Sequence, residues 1–154
     1  MHPNRITRIL VVTDHPEPPP ELVLAMERRS GLGTVQFRVV VPNPAQAELH
    51  LLHPERHDKA LEAEQVLYSA LPGLELAAGG RVFGSVSVRH DPMDAIEETL
   101  FSEPIDEIIL SVAPHGLATR LHLDLAHRLQ HFGLPITVIP NDDIKHLPPD
   151  RSRS

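Results

Sequence analysis

Proline cuts this chain into short segments, and that spacing restricts its possible folds more than any other feature. Sixteen prolines stand among 154 residues, about twice the usual ~5% share. They group at 16–20, 42–44, 54, 72, 92, 104, 114, 135–140 and 148–149. A proline inside a helix removes a hydrogen bond and crowds the preceding turn, and in a central strand it removes a ladder donor. Helices and strands are therefore expected in the intervals, with loops at the proline clusters.

The intervals read as alternating strands and helices. Arg8–Val12 (RILVV) is a continuous apolar run of the kind a strand buried on both faces shows. Glu21–Ser30 fits a helix that stops at Gly31 and Gly33, and Val35–Val41 is a strand ending at Pro42. Residues 42–54 read as a loop. Glu55–Leu71 carries Ala60, Ala63, Leu67, Ala70 and Leu71 at helical spacing and is expected to end before Pro72. Val82–Val88 alternates like a half-buried strand suited to a sheet edge. Asp91-Pro92 forms a helix start, a capping carboxylate followed by proline at the first helical position. That helix turns Met93, Ile96 and Leu100 inward and stops before Pro104. Asp106–Val112 (DEIILSV) is the second buried strand. Thr119–Phe132 places Leu121, Leu125, Leu129 and Phe132 on one helical stripe, with Gly133 as its C-terminal cap. Ile136–Ile139 is the last strand, and residues 141–154 read as a flexible tail.

Such alternation implies one α/β domain over residues 5–140, a doubly wound five-stranded parallel sheet with helices on both faces. The two most apolar runs belong at its centre as neighbours, which gives the strand order 3-2-1-4-5. Ligands of such sheets bind beyond the carboxyl ends of the strands, where the winding reverses. Here that end is formed by Thr13–His15 and Ser111–Thr119.

Composition narrows the function. The chain has no cysteine, which removes disulfides, thiolate zinc sites and cysteine nucleophiles. A formal charge of −7 argues against a nucleic-acid binder. The five aromatic residues include no tryptophan and form no stacking platform. No run is long and apolar enough for a membrane span, and no secretory signal opens the chain, so a cytoplasmic protein is expected.

The segments RILVVTD ending at Asp14, DPMDAIEETL and IDEIILSVAPHG between Asp91 and Gly116, and LPITVI over Leu134–Ile139 together resemble the universal stress protein family. The resemblance covers residues 5 to about 140. It implies a cytoplasmic α/β domain, usually dimeric, often binding ATP and seldom an enzyme. ATP-binding members carry Gly-x-x-Gly, nine residues, then Gly-Ser or Gly-Thr after the fourth strand. The matching positions here are Ala113-Pro114-His115-Gly116, nine residues, then Ala126-His127, so one glycine of three remains and the hydroxyl is absent. The resemblance thus implies a divergent member, a stress-associated regulatory or binding module without catalysis, with weak or no ATP binding and no other cofactor. The alternative is an ATP-binding, slowly hydrolysing member. By the same resemblance, nucleotide contacts would fall on Asp14, Val41, Ala113, Gly116, Thr119, Ala126 and His127. A homodimer through the last strand is also implied.

Each candidate has a plainer reading. Asp14 serves either a nucleotide or its own turn. Val40 and Val41 offer backbone groups to a base, or are simply core. His50, His53 and His57, and the four-apart pair His127 and His131, suggest a metal, but a third ligand and a dry pocket are needed, the helical stripe puts the pair on the outer face, and solvated histidines are the simpler account. Ser111 with His115 lacks the strained elbow of a serine nucleophile, so its hydroxyl is expected to bond the backbone. A phosphoacceptor receiver would need an acidic pair after the first strand and a lysine after the fifth. Here Asp14 stands alone and Pro140 follows Ile139. At the last strand, Pro135 and Pro140 either flank a dimer contact or guard an unpaired edge.

Overall fold

A computed structural model describes residues 5–42, 55–87, 92–112 and 130–139. In chain order these residues form β1 (Thr7–Thr13), α1 (Pro20–Ser30), β2 (Val35–Val41), α2 (Glu55–Ala78), β3 (Phe83–Val86), α3 (Pro92–Ser102), β4 (Glu107–Ser111), a 3-10 turn (Gln130–Phe132) and β5 (Ile136–Val138). The strands make one sheet in the order β3-β2-β1-β4-β5, and every pairing is parallel.

The expected order of strands is observed. The apolar runs explain it, because Leu10, Val11 and Val12 of β1 are fully buried and pair with Ile108, Ile109 and Leu110 of β4. A strand with both faces covered needs side chains it can bury in both directions, and only β1, β2 and β4 supply them. On one face Ile9, Val11, Phe37, Val39 and Ile109 pack against Leu22 and Met26 of α1 and Leu67, Ala70 and Leu74 of α2. On the other, Leu10, Val12, Val40, Ile108 and Leu110 pack against Met93, Ala95 and Ile96 of α3.

The long helix corrects one expectation. α2 does not stop before Pro72 but continues to Ala78 with the proline inside it. Ala63, Leu67, Ala70, Leu74 and Ala77 form one buried stripe that continues past the proline. Pro72 itself lies on the exposed side together with Tyr68, whose carbonyl loses its helical partner. Water can serve that carbonyl, and burial of Leu74 and Ala77 favours the extra turns.

Two smaller details follow from local chemistry. β3 carries glycine where Leu67 of α2 comes close, since a Cβ on Gly84 would lie 2.8 Å from Leu67 Cδ1. Of the helix expected over Thr119–Phe132, the described part is the 3-10 turn, ended by Gly133 at φ +71°, with its N–H donating to the Gln130 carbonyl at 3.0 Å. Phe132, expected on the buried stripe, is partly exposed. Residues 42–54, apart from Pro42, and the tail 141–154 lie outside the described residues, as do Leu121, Leu125 and Leu129.

Candidate functional site at the strand ends

β1 and β4 are neighbours, but their connections leave in opposite directions, to β2 on one side and β5 on the other. The crevice this creates lies beyond Thr13 and Ser111, which occupy one rung of the ladder. Paired residues of adjacent strands share a face of the sheet, so the two hydroxyls stand side by side. Both residues are 1% exposed.

Their bonding differs. Thr13 Oγ1 accepts the N–H of His15 at 3.2 Å, a local turn that fixes the exit from β1. It holds Asp14 and His15 half-buried at the crevice, with His15 Nε2 3.7 Å from Asp14 Oδ1. Ser111 Oγ has no hydrogen-bond partner among the described residues. The expected bond to the backbone is therefore not made among the described residues. In a helix a hydroxyl reaches the carbonyl one turn back, as Thr99 does to Ala95 at 3.0 Å and Ser102 to Glu98 at 2.8 Å. In a strand the side chain stands perpendicular to the sheet, away from carbonyls already committed to the ladder.

At the end of β2 the side chains of Val40 and Val41 are core, as the plainer reading held. The Val41 carbonyl accepts the N–H of Ser87 at 3.0 Å, and the next residue, Pro42, has no N–H to offer. Ser87 in turn donates its hydroxyl to Glu98 Oε1 at 3.4 Å, which ties the end of β3 to α3. The structure thus brings Asp14 and Val41 to the same end of the sheet, on strands in direct contact. Ala113, Gly116, Thr119, Ala126 and His127 lie outside the described residues, although Ser111 and Val112 deliver the chain to that end. His50, His53 and His115 are also outside, as are the side chains of His57 and His131. Among the described residues no three histidine or carboxylate side chains converge as metal ligands would. No described helix is long and apolar enough to cross a membrane.

Thr13 and Ser87 act as polar anchors that the sequence expectations do not include. A Thr-x-His exit from a buried strand was the available signal for the first. For Ser87 there was none, because its partner Glu98 is distant in the chain.

No family's sequence model matches this chain, and no curated protein matches it. Among solved structures it is similar to the universal stress protein from Archaeoglobus fulgidus, with a TM-score of 0.57 at 16% identity over 87% of this chain and 93% of that one. The two share one fold. At this identity the likeness speaks for the architecture of the universal stress protein, not for its chemistry.

Proposed function

We propose that this chain is a regulatory or binding module of the universal-stress-protein type, cytoplasmic and without catalysis, in which ATP binds weakly or not at all. The observation that carries the weak-binding reading is the end of β2, where the Val41 carbonyl is already engaged by Ser87 and Pro42 lacks an N–H. A base held by backbone groups there would have to share the Val41 carbonyl and would meet no N–H at residue 42. The loop after β4 adds to this from sequence. Pro114 removes an N–H from the segment that would cradle phosphate, and the methyl of Ala113 crowds the approach that glycine permits. Ala126 and His127 replace a glycine and a hydroxyl. Loss of two hydrogen bonds to a charged group, at ~1.5–3 kcal/mol each, weakens binding about a hundredfold to ten-thousandfold.

A second reading has one observation in its favour. The buried hydroxyl of Ser111, without a partner among the described residues and on the same rung as Thr13, is the kind of group a ligand at the crevice would satisfy. On that reading the chain binds ATP and hydrolyses it slowly, with Gly116 and Thr119 supplying phosphate contacts.

The assembly we propose is a homodimer through β5. This strand lies at the end of the sheet order, and Thr137 and Val138 are exposed. Short apolar edge strands are usually covered or paired, and two-fold contacts are the commonest way to pair them. Native mass spectrometry of the purified protein tests both parts together. The expected spectrum shows twice the 17.1 kDa chain mass and no retained nucleotide. A stoichiometric adenine nucleotide carried through purification would overturn the weak-binding reading, and a monomer alone would overturn the dimer.

A further inference from the structure

At the opposite end of the sheet, where the strands begin, three arginines each have a carboxylate partner. Arg5 meets Asp106 at 2.9 Å, Arg29 meets Glu107 through two bonds, and Arg38 meets Glu103 at 2.9 Å. Arg8 does not. Its backbone N–H donates to Asp106 Oδ2 at 2.8 Å, but among the described residues its guanidinium makes no ion pair. Arg8 is half-buried in β1 on the α3 side of the sheet, the side that Leu10 and Val12 share. In a chain of net charge −7, a half-buried cation without a carboxylate among the described residues stands out.

The register shows what surrounds it. Arg8 pairs with Gln36 across β1 and β2, and Arg38 pairs with Phe83 across β2 and β3. All four therefore lie on one face, Arg8 and Arg38 as diagonal neighbours. With Glu103 and Ile105 from the segment between α3 and β4 they line a groove of about 460 Å³, within the ~300–1,000 Å³ range of small-ligand sites. Arg38 is held still, its Nε on Glu103 and its NH1 on the carbonyls of Val39 and Phe83. Phe83 is 49% exposed and, with Ile105, provides the apolar part of the groove's lining.

We propose that this groove binds a small organic monocarboxylate with an apolar or aromatic body. Two guanidiniums against one carboxylate leave a single net positive charge, which suits a monoanion and disfavours a phosphate dianion facing Glu103. The planar fork of Arg8 matches a carboxylate through two parallel bonds, and Gln36 supplies a further amide donor. Phe83 and Ile105 receive the apolar body. This site is separate from the crevice beyond Thr13 and Ser111 and independent of whether ATP binds there.

Titration of the full chain by two-dimensional amide NMR tests the proposal, with phenylacetate as probe and benzylamine and inorganic phosphate as comparisons. The expected result is saturable shifts clustered at residues 8, 36–38, 83 and 103–105, with a phenylacetate dissociation constant on the order of a millimolar. Benzylamine is expected to leave these signals unmoved, and phosphate to bind more weakly than phenylacetate. Arg8→Gln is expected to weaken phenylacetate about tenfold or more, with Arg8→Lys between it and the parent. Glu103→Gln is expected to tighten binding and narrow the gap to phosphate, and it decides the matter if Arg8→Gln does not fold. No saturable shift at the groove by about 10 mM phenylacetate would overturn the proposal. Equal binding of benzylamine, or weaker binding in Glu103→Gln, would also overturn it.

Discussion

Two buried hydroxyls on one rung of the sheet are predicted to respond to removal in opposite directions. Thr13 and Ser111 are paired and equally buried, yet among the described residues only Thr13 Oγ1 has a partner, the N–H of His15 at 3.2 Å. Leaving a buried hydroxyl unsatisfied costs about 1–3 kcal/mol, while the void left by one oxygen atom costs only a few tenths. Ser111→Ala is therefore expected to stabilise the chain by about 0.5–2 kcal/mol. Thr13→Val keeps the shape but removes an acceptor from a half-buried N–H, and is expected to cost about 0.5–1.5 kcal/mol. Urea unfolding followed by circular dichroism resolves both, because slopes of about 1–3 kcal/mol/M turn these changes into midpoint shifts of several tenths molar. The reasoning is refuted if Ser111→Ala lowers stability by about 1 kcal/mol or more, since the hydroxyl would then be bonded in the folded protein.

Three further predictions use the same measurements. Gly84→Ala should cost about 1–3 kcal/mol because its Cβ meets Leu67 Cδ1 at 2.8 Å; adding Leu67→Ala should cost less in that background than alone, and additive losses would contradict the close approach. Arg29 and Glu107 form a two-bond pair with roughly a quarter of each side chain exposed, so Glu107→Gln should cost about 1 kcal/mol, less in about 1 M salt; a loss unchanged by salt would show that charge is not its cause. Val138→Lys on the exposed edge of β5 should convert the proposed dimer to the 17.1 kDa monomer in light scattering; an unchanged mass of twice that value would place the contact elsewhere.

The strand order was legible in the sequence because burial on both faces demands unbroken apolar runs, and Arg8–Val12 and Asp106–Val112 are the two most apolar. The weak alternation of Val82–Val88 likewise suited an edge, where β3 lies. Pro72 misled because a proline's cost depends on which side of the helix it occupies, and that side is set by tertiary packing. Ser111 misled for a related reason, since whether a hydroxyl finds a carbonyl depends on the element carrying it. At the crevice, the sequence showed which residues reach the strand ends but not that Ser87 takes the Val41 carbonyl. The groove at the other end had one visible trace, the charge of Arg38 within the apolar run VQFRVVV. Its partner Glu103 comes from another element, and no local spacing could reveal that Arg8 would be left over.

Calorimetric titration of the purified chain with Mg-ATP tests the central claim most directly. With the Val41 carbonyl engaged, Pro42 without an N–H and Pro114 in the phosphate loop, the expected trace shows no binding, or a dissociation constant weaker than about 100 µM. A dissociation constant below about 10 µM would contradict it and favour the ATP-binding reading.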